Sequence, residues 1–206
     1  CFSLVFLCAS LLLWREGMIL EQAYIANQRN SLDSIATTFD KQLQHSVDIL
    51  YFYQQAMVFS LDTPFIGNAS HPALQAFNRL RQQPEWRLTY NMRRMSPVYG
   101  VSDQRLAGNP RLDRDSARLA PELSALLELG YLLPLSQNEA RFQFRTWYVS
   151  RAGMFVSSEP GIDDKRIADI YMRMVERPYF VQQQPELNPQ RQARWFFNED
   201  PDHARR

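Results

Sequence analysis

Residues 142–150 combine one arginine with four aromatic residues and are the part of the sequence best suited to binding chemistry. Arg145, Trp147 and Tyr148 lie within four residues of one another. The planar guanidinium of arginine gives two charge-assisted hydrogen bonds to one carboxylate or phosphate. Aromatic walls around a few polar groups are a common pocket composition. Alternation along a strand sends Arg145 and Trp147 to one face and Tyr148 to the other. The segment therefore predicts part of a site for a small anionic ligand.

The same combination of arginine and aromatic residues recurs towards the end of the chain. We therefore take as candidate ligand-binding residues Arg145, Trp147, Tyr148, Arg177, Tyr179 and Trp195. A simpler interpretation is that the aromatic rings belong to the core while the arginines are solvated or paired with Asp and Glu. Neighbouring positions in the sequence do not show that side chains converge on one pocket, so both interpretations stay open.

Residue sets that carry out catalysis are not evident. His45, His71 and His203 have no partners at metal-ligand spacing, and no H-E-x-x-H motif occurs. The seven glycines include no two in succession, and no phosphate loop of the G-x-x-x-x-G-K type is present. The acidic pairs at 113/115 and 163/164 are better explained as charges at helix N-termini. We expect no catalytic residue, metal or cofactor within this sequence.

The charge balance and the cysteine content exclude further classes. The 23 basic and 22 acidic residues leave a net charge of +1, which is not the footprint of a nucleic-acid-binding domain. Both cysteines, Cys1 and Cys8, lie in the apolar N-terminal segment. The rest of the chain therefore has no disulfide and no cysteine-based metal site.

The first fourteen residues, Cys1 to Trp14, carry no charge, and Arg15 and Glu16 follow them. A membrane-spanning helix needs about 20 apolar residues, so we expect 1–14 to be the C-terminal part of a transmembrane helix whose first turns precede this sequence. Trp14 would then lie at the bilayer surface. A cleaved signal peptide or a buried core helix would also be apolar, although Trp-Arg-Glu does not fit a cleavage site.

Residues 15–61 contain no proline and show helical periodicity. Apolar residues recur there at steps of three, four or seven, which predicts one long amphipathic helix. At ~1.5 Å per residue this helix would be roughly 70 Å long, which is more than one small domain can cover. We expect it to pair with a second copy of the chain through a stripe formed by Leu32, Phe39, Leu43 and Leu50.

The remaining residues, 62–206, combine helical and strand patterns. They predict helices at 71–82, 84–95, 113–129 and 163–176, one antiparallel hairpin at 142–150 and 154–157, and the start of a strand at 194–197. Two strands alone make a marginal sheet, so we expect the missing strands after Arg206. The predicted fold is α+β: a long membrane-anchored helix followed by an incomplete sensor lobe.

Nearly the whole chain resembles one family, through blocks that occur in the family's order. The blocks are Trp14–Glu16, Glu21–Ile25, Gln28–Asn30, Pro97–Asp103, Leu129–Leu133, Tyr148–Gly153 and Arg194–Phe196, followed by Pro201 and His203–Ala204. They resemble the anchor, rod and sensor segment of diguanylate cyclases of the DgcQ (YedQ) type, which enterobacteria use in cellulose regulation.

The resemblance implies an inner-membrane protein with a periplasmic CHASE-type sensor of Cache or PAS-like fold. It also implies a cytoplasmic GGDEF domain that joins two GTP molecules into cyclic di-GMP with magnesium. The Gly-Gly-Asp/Glu-Glu-Phe turn of that domain is absent from this sequence. Catalysis, GTP and magnesium would therefore belong to a domain outside these residues, and no catalytic residue is carried over.

Two other function classes stay open. The chain could be a complete membrane-anchored periplasmic protein that binds a ligand or has a structural role, with no enzymatic output. A periplasmic hydrolase is disfavoured, because the sequence offers no set of nucleophile, base or metal ligands.

Overall fold

The computed structural model describes residues 2–66, 70–90, 95–114, 117–137, 145–159 and 161–196. They form an α+β protein with a four-stranded antiparallel sheet. The chain divides into two compact units, Cys1–Leu50 and Tyr51–Arg206.

Helix α1, Phe2–Asp62, is the longest element and contains the whole first unit. No proline interrupts it, in agreement with the predicted helix at 15–61. Three positions of the predicted stripe are at least half exposed: Leu32 at 64%, Phe39 at 60% and Leu50 at 50%. Leu43 is half-buried.

The predicted fold class, which began with a long membrane-anchored helix, is contradicted at that helix. Among the helices that the structure describes, none is long and apolar enough to cross a membrane. The physical reason is the position of Arg15 and Glu16, which end the uncharged run at Trp14. A spanning helix needs about 20 apolar residues in succession. The observed fold class is thus α+β built on an antiparallel sheet, in place of a membrane-anchored helix with an incomplete sensor lobe.

The sheet contains strands β1 (Glu85–Leu88), β2 (Val98–Val101), β3 (Trp147–Val149) and β4 (Met154–Ser157) in the order β1-β2-β4-β3. All neighbouring strands are antiparallel, and Tyr99 of β2 lies opposite Phe155 of β4. The two central strands are buried on both faces.

The β3–β4 pair confirms the predicted antiparallel hairpin. Strands β1 and β2, in contrast, were not predicted. A helix was predicted at 84–95, because Pro84 suits a first helical turn. Residues 85–88 instead form β1, in which Trp86 and Leu88 are buried and alternate with the exposed Arg87. The expectation that the sheet partners of the hairpin follow Arg206 was therefore wrong, because β1 and β2 supply them.

Helix α5, Ile167–Glu176, packs on one face of the sheet and follows a 3₁₀ turn at Asp164–Arg166. This agrees with the predicted helix at 163–176. Its buried side chains meet Tyr99 and Phe155, whose rings are stacked with their centroids 5.1 Å apart. Short helices α3 (Asp103–Leu106) and α6 (Pro178–Val181) complete the helices near this layer.

Helix α2, Pro72–Leu80, packs beside β1 and confirms the helix predicted at 71–82. Its buried Phe77 meets the Trp86 indole edge-on, with ring centroids 5.3 Å apart. The indole N–H donates to the Val101 carbonyl at 3.1 Å. A Cβ at Gly100 would lie 2.1 Å from the Trp86 ring, so the ring fills the space above the glycine.

Helix α4, Leu119–Gln137, contacts β4; it begins at Leu119 rather than at the predicted Asp113 and ends later than the predicted Leu129. The sequence prediction ended it at Gly130, but it continues through Gly130 and Pro134. Proline has no N–H to give to the carbonyl four residues earlier, which here belongs to Gly130. The Ser96 N–H donates to this carbonyl at 2.8 Å instead. Residues 194–196, predicted to begin a strand, have no regular secondary structure, and Phe197 lies outside the described residues.

Candidate ligand-binding site

The predicted site residues on β3 lie on opposite faces of the sheet, as alternation requires. Trp147 packs against the α5 side of the core, with its ring centroid 5.9 Å from that of Phe155. Tyr148 lies on the side of α4, where burial and the nearby Glu122 raise the pKa of its hydroxyl. These two rings therefore face different layers of the fold.

A hydrogen-bonded polar cluster joins α4 to the β3–β4 turn. Ser150 donates its hydroxyl to Glu122 and accepts the Ala152 N–H at 2.8 Å. Tyr171 donates to the Ser150 carbonyl at 2.8 Å. Burial raises the pKa of Glu122, against the opposing effects of the Ser150 hydrogen bond and the Arg114 charge. The cluster fixes α4 and α5 to the same turn.

Arg114 is the most buried charged side chain in the ion pairs of the described residues, with 6% of it exposed. Its guanidinium donates to the carbonyls of Ala152 at 2.8 Å and Val101 at 2.9 Å and pairs with Asp103. Burial opposes the charge of Asp103, but hydrogen bonds and charges from Arg81 and Arg114 outweigh it and lower the pKa of this carboxyl. The Nε, Nη1 and Nη2 atoms of Arg114 each donate to a protein oxygen atom, which indicates a structural role.

The remaining predicted residues lie at the surface. Arg145 is 65% exposed and lies 3.8 Å from Glu159. Tyr179 is 45% exposed; burial raises the pKa of its hydroxyl, and the charge of Arg177 opposes this effect. Trp195 is 66% exposed. The structure thus brings Arg177 and Tyr179 together, and a ligand-binding role for the six residues stays a prediction.

A cavity of about 410 Å³ lies elsewhere, beside α4. This volume is within the ~300–1,000 Å³ range that is usual for small-molecule sites. Its walls are three aromatic and three aliphatic side chains with one carboxylate: Phe65, Tyr90, Met95, Leu127, Glu128, Tyr131 and Leu132. An apolar cavity with one charged group is the ordinary composition of a ligand pocket, so we take it as the candidate site.

Glu128 connects the cavity to the end of α1. The buried Ser60 on α1 donates its hydroxyl to one oxygen of the Glu128 carboxylate. Met57 and Tyr53 precede Ser60 on the buried face of α1, at helical spacing. A carboxylate offers about four lone-pair directions, so the Ser60 bond leaves acceptor capacity for a ligand.

Aromatic rings contact one another along the rim of the cavity, in edge-on and tilted arrangements. The His71 ring lies 5.5 Å from Phe65 and 5.6 Å from Tyr90, measured between centroids. His71 is itself held in place, because its Nδ1 accepts the Ala73 N–H at 3.3 Å as the N-cap of α2. The Phe65 N–H donates to Ser124 of α4 at 3.0 Å. Two of the aromatic walls are therefore positioned before any ligand enters.

Among the described residues, no group of three His, Cys, Asp or Glu side chains could hold a metal ion. The cavity lining that the structure describes contains one carboxylate, Glu128, and no pairing of a nucleophile with a base. The arrangement is suited to reversible binding.

Comparison with known protein families decides the class of this chain. Residues 13–199 match CHASE7, a periplasmic sensor domain. The chain belongs to the CHASE7 family. The match includes most of α1, the whole sheet and the cavity, so all of them are parts of the CHASE7 domain, and the family indicates an extracytoplasmic location. No solved structure matches the chain.

The sequence contained one signal for the cavity that its interpretation missed. Helix α4 has only two charged residues, Glu122 and Glu128, in a largely apolar stretch of nineteen residues. Carboxylates are rarely placed in such surroundings without partners. Glu122 holds Ser150, and Glu128 holds Ser60 and lines the cavity.

Proposed function

We propose that this CHASE7 domain is the ligand-sensing input of a diguanylate cyclase, whose catalytic domain lies outside these residues. The observation that carries the proposal is the cavity in which Glu128 holds Ser60 of α1. The membership in a family of periplasmic sensors supports it. The cyclase output comes from the ordered resemblance to cyclases of the DgcQ type, whose reaction requires GTP and magnesium.

The proposed signal is a competition for Glu128. A ligand shifts a two-state protein only by its difference in affinity for the two states. A ligand that hydrogen-bonds to Glu128 favours the arrangement in which Ser60 has released the carboxylate. Because Ser60 belongs to α1, the difference in free energy between the two arrangements involves this helix directly.

We further propose that two copies of the chain pair through α1. Leu32, Phe39 and Leu50 are exposed apolar side chains on this helix, and together with Leu43 they form the predicted stripe. Pairing would bury this apolar surface, which is favourable. It would also bring two cyclase domains together, as the joining of two GTP molecules requires.

The test uses the native full-length protein. We expect the purified protein to form cyclic di-GMP from GTP and magnesium, and cells lacking it to contain less cyclic di-GMP and less cellulose. Ser60→Ala and Glu128→Gln should change the cyclase rate severalfold with the fold retained. Glu186→Gln is the matched control, because Glu186 is 67% exposed and lies away from the cavity lining. A purified, folded protein without cyclase activity would refute the proposal and favour a binding protein without enzymatic output.

A further inference from the structure

We propose that the cavity beside α4 binds a small organic cation: a primary amine with an aromatic or branched aliphatic body. The inference rests on the proposed sensing function and specifies the ligand for the same site. This cationic ligand differs from the anionic ligand expected at Arg145, because the cavity presents the carboxylate of Glu128 where the Arg145 site would present a guanidinium.

The charge of the cavity wall selects against anions. Among the lining residues that the structure describes, Glu128 is the only Asp, Glu, Lys, Arg or His. No Lys or Arg of the described residues lies within ion-pair distance of it. An anion placed beside a carboxylate among apolar side chains would be both desolvated and repelled. An ammonium group would make a charge-assisted hydrogen bond to the same oxygen atoms.

The aromatic walls favour the same class of ligand. Phe65, Tyr90 and Tyr131 line the cavity together with Glu128. A cation over such rings is attracted by the negative face of the aromatic ring, and more strongly where water is excluded. Leu127, Leu132 and Met95 offer surface for an apolar body but no hydrogen-bonding partner. A strongly hydrophilic ligand would therefore lose its hydration without compensation.

The spacing between Glu128 and Tyr131 on α4 indicates the distance between the amine and the ring of the ligand. Leu127 and Glu128 are adjacent, while Tyr131 and Leu132 lie one helical turn further on. The carboxylate and an aromatic ring thus lie on neighbouring turns, about 5–6 Å apart at their Cβ atoms. This separation suits a molecule in which two carbon atoms separate an amine from a ring.

The experiment compares three probes with nearly the same body: 2-phenylethylamine, the neutral 2-phenylethanol and the anionic phenylacetate. Each is titrated into the chain by calorimetry at pH 7. We expect the amine to bind at least tenfold more tightly than phenylacetate, with phenylethanol between them. The anionic probe is included because Arg93 and Arg94 lie between Tyr90 and Met95 in the sequence but outside the described residues. Tighter binding of phenylacetate would indicate a cationic site and overturn the proposal, as would the absence of binding by all three probes.

Variants separate the carboxylate from the rings. Glu128→Gln should weaken amine binding at least tenfold and leave phenylethanol almost unchanged, whereas Glu186→Gln should alter neither. Ser60→Ala should retain or strengthen amine binding, because it removes the competing donor. Circular dichroism checks that each variant folds. If Glu128→Gln does not fold, Tyr131→Ala provides the test, because Tyr131 is 44% exposed and should be tolerated. It should weaken the amine more than phenylethanol, and equal losses would refute the inference.

The outcome is independent of the cyclase test. If the protein binds the amine but has no cyclase activity, the proposed ligand class stands and the proposed cyclase output is refuted. Cyclase activity without amine binding would do the reverse.

Discussion

Gly130→Ala tests whether the close approach of Ser96 to α4 holds the fold around the cavity. A Cβ at position 130 would lie 2.5 Å from the Ser96 carbonyl oxygen, and real Cβ contacts are essentially never shorter than 3.0 Å. Ser96 must therefore move by roughly half an ångström, and its 2.8 Å hydrogen bond to the Gly130 carbonyl weakens with it. The obstacle is main chain, so no side-chain rotation can relieve it.

Three effects determine how much Gly130→Ala changes the free energy of unfolding. Overpacking costs about 1–3 kcal/mol, and loss of a buried main-chain hydrogen bond costs about 1 kcal/mol. Alanine returns about 1 kcal/mol through its higher helix propensity. We expect a net loss of about 1–3 kcal/mol. With a urea dependence of about 2 kcal/mol per molar, the unfolding midpoint should fall by about 1 M.

The assay is urea unfolding followed by circular dichroism, with Gly17→Ala as the control. Gly17 is also helical but has nothing within 4 Å of an added Cβ, so this change should not lower the midpoint. Pro134→Ala restores an N–H that can reach the Gly130 carbonyl, so Gly130→Ala should cost less in that background. A Gly130→Ala midpoint equal to that of the wild type would show that Ser96 yields without cost and would refute the reasoning.

Two further predictions concern α1 and the buried carboxylate. Leu43→Arg combined with Leu50→Arg should reduce crosslinked dimer of the full-length protein severalfold, because it places charges in the proposed α1 pairing surface; an unchanged yield would exclude that surface. Burial raises the pKa of Glu122 above its ordinary value of 4.5, so the folded state holds this proton more tightly than the unfolded state does. The contribution of Glu122 to stability is therefore full below the unfolded pKa and falls as the pH rises through the folded value. Glu122→Gln should be relatively more stable at pH 7 than at pH 4 by urea unfolding, and a constant difference from the wild type would contradict this.

The sequence predicted the elements whose periodicity extends over many residues or whose turn is marked. Helix α1 lacks proline throughout, α5 has regular apolar spacing, and the β3–β4 hairpin surrounds Gly153, whose φ is +79°. Strands β1 and β2 were missed because each has only four residues and, unlike β3 and β4, they are not joined by a short turn that contains glycine. Four residues are too few to separate alternation from a helical pattern.

The ends of α4 and of the apolar N-terminal run were misjudged for different reasons. Gly130 and Pro134 ordinarily end a helix. Here the main chain of Ser96 packs closely against Gly130, and the Ser96 N–H replaces the hydrogen bond that Pro134 cannot donate to the Gly130 carbonyl. No local pattern reveals such a partner, because it comes from a distant segment. The N-terminal run was expected to belong to a membrane-spanning helix, and the described residues contain no helix long and apolar enough to span a membrane.

The candidate site was harder to predict than the fold, because its walls come from three separate segments. Phe65 follows α1, Tyr90 follows β1 and Met95 precedes β2, and all three line the cavity together with residues of α4. Residues adjacent on a strand face opposite sides, which is why the Trp147–Tyr148 pair does not enclose a common space. Residues three or four apart on a helix share a side, as Glu128, Tyr131 and Leu132 do.

The two glutamates of α4 connect the cavity to the rest of the domain in different ways. Glu122 binds Ser150 next to the sheet, and Glu128 binds Ser60 of α1. A hydrogen bond to a charged group contributes about 1.5–3 kcal/mol. Exchange of Ser60 for a ligand ammonium at Glu128 could therefore shift a two-state equilibrium roughly tenfold or more. The exchange does not involve the Glu122–Ser150 hydrogen bond, so we expect α4 to keep its place on the sheet while its contact with α1 changes. That difference lets one helix act as a fixed support for the sheet and as a ligand-dependent contact for α1.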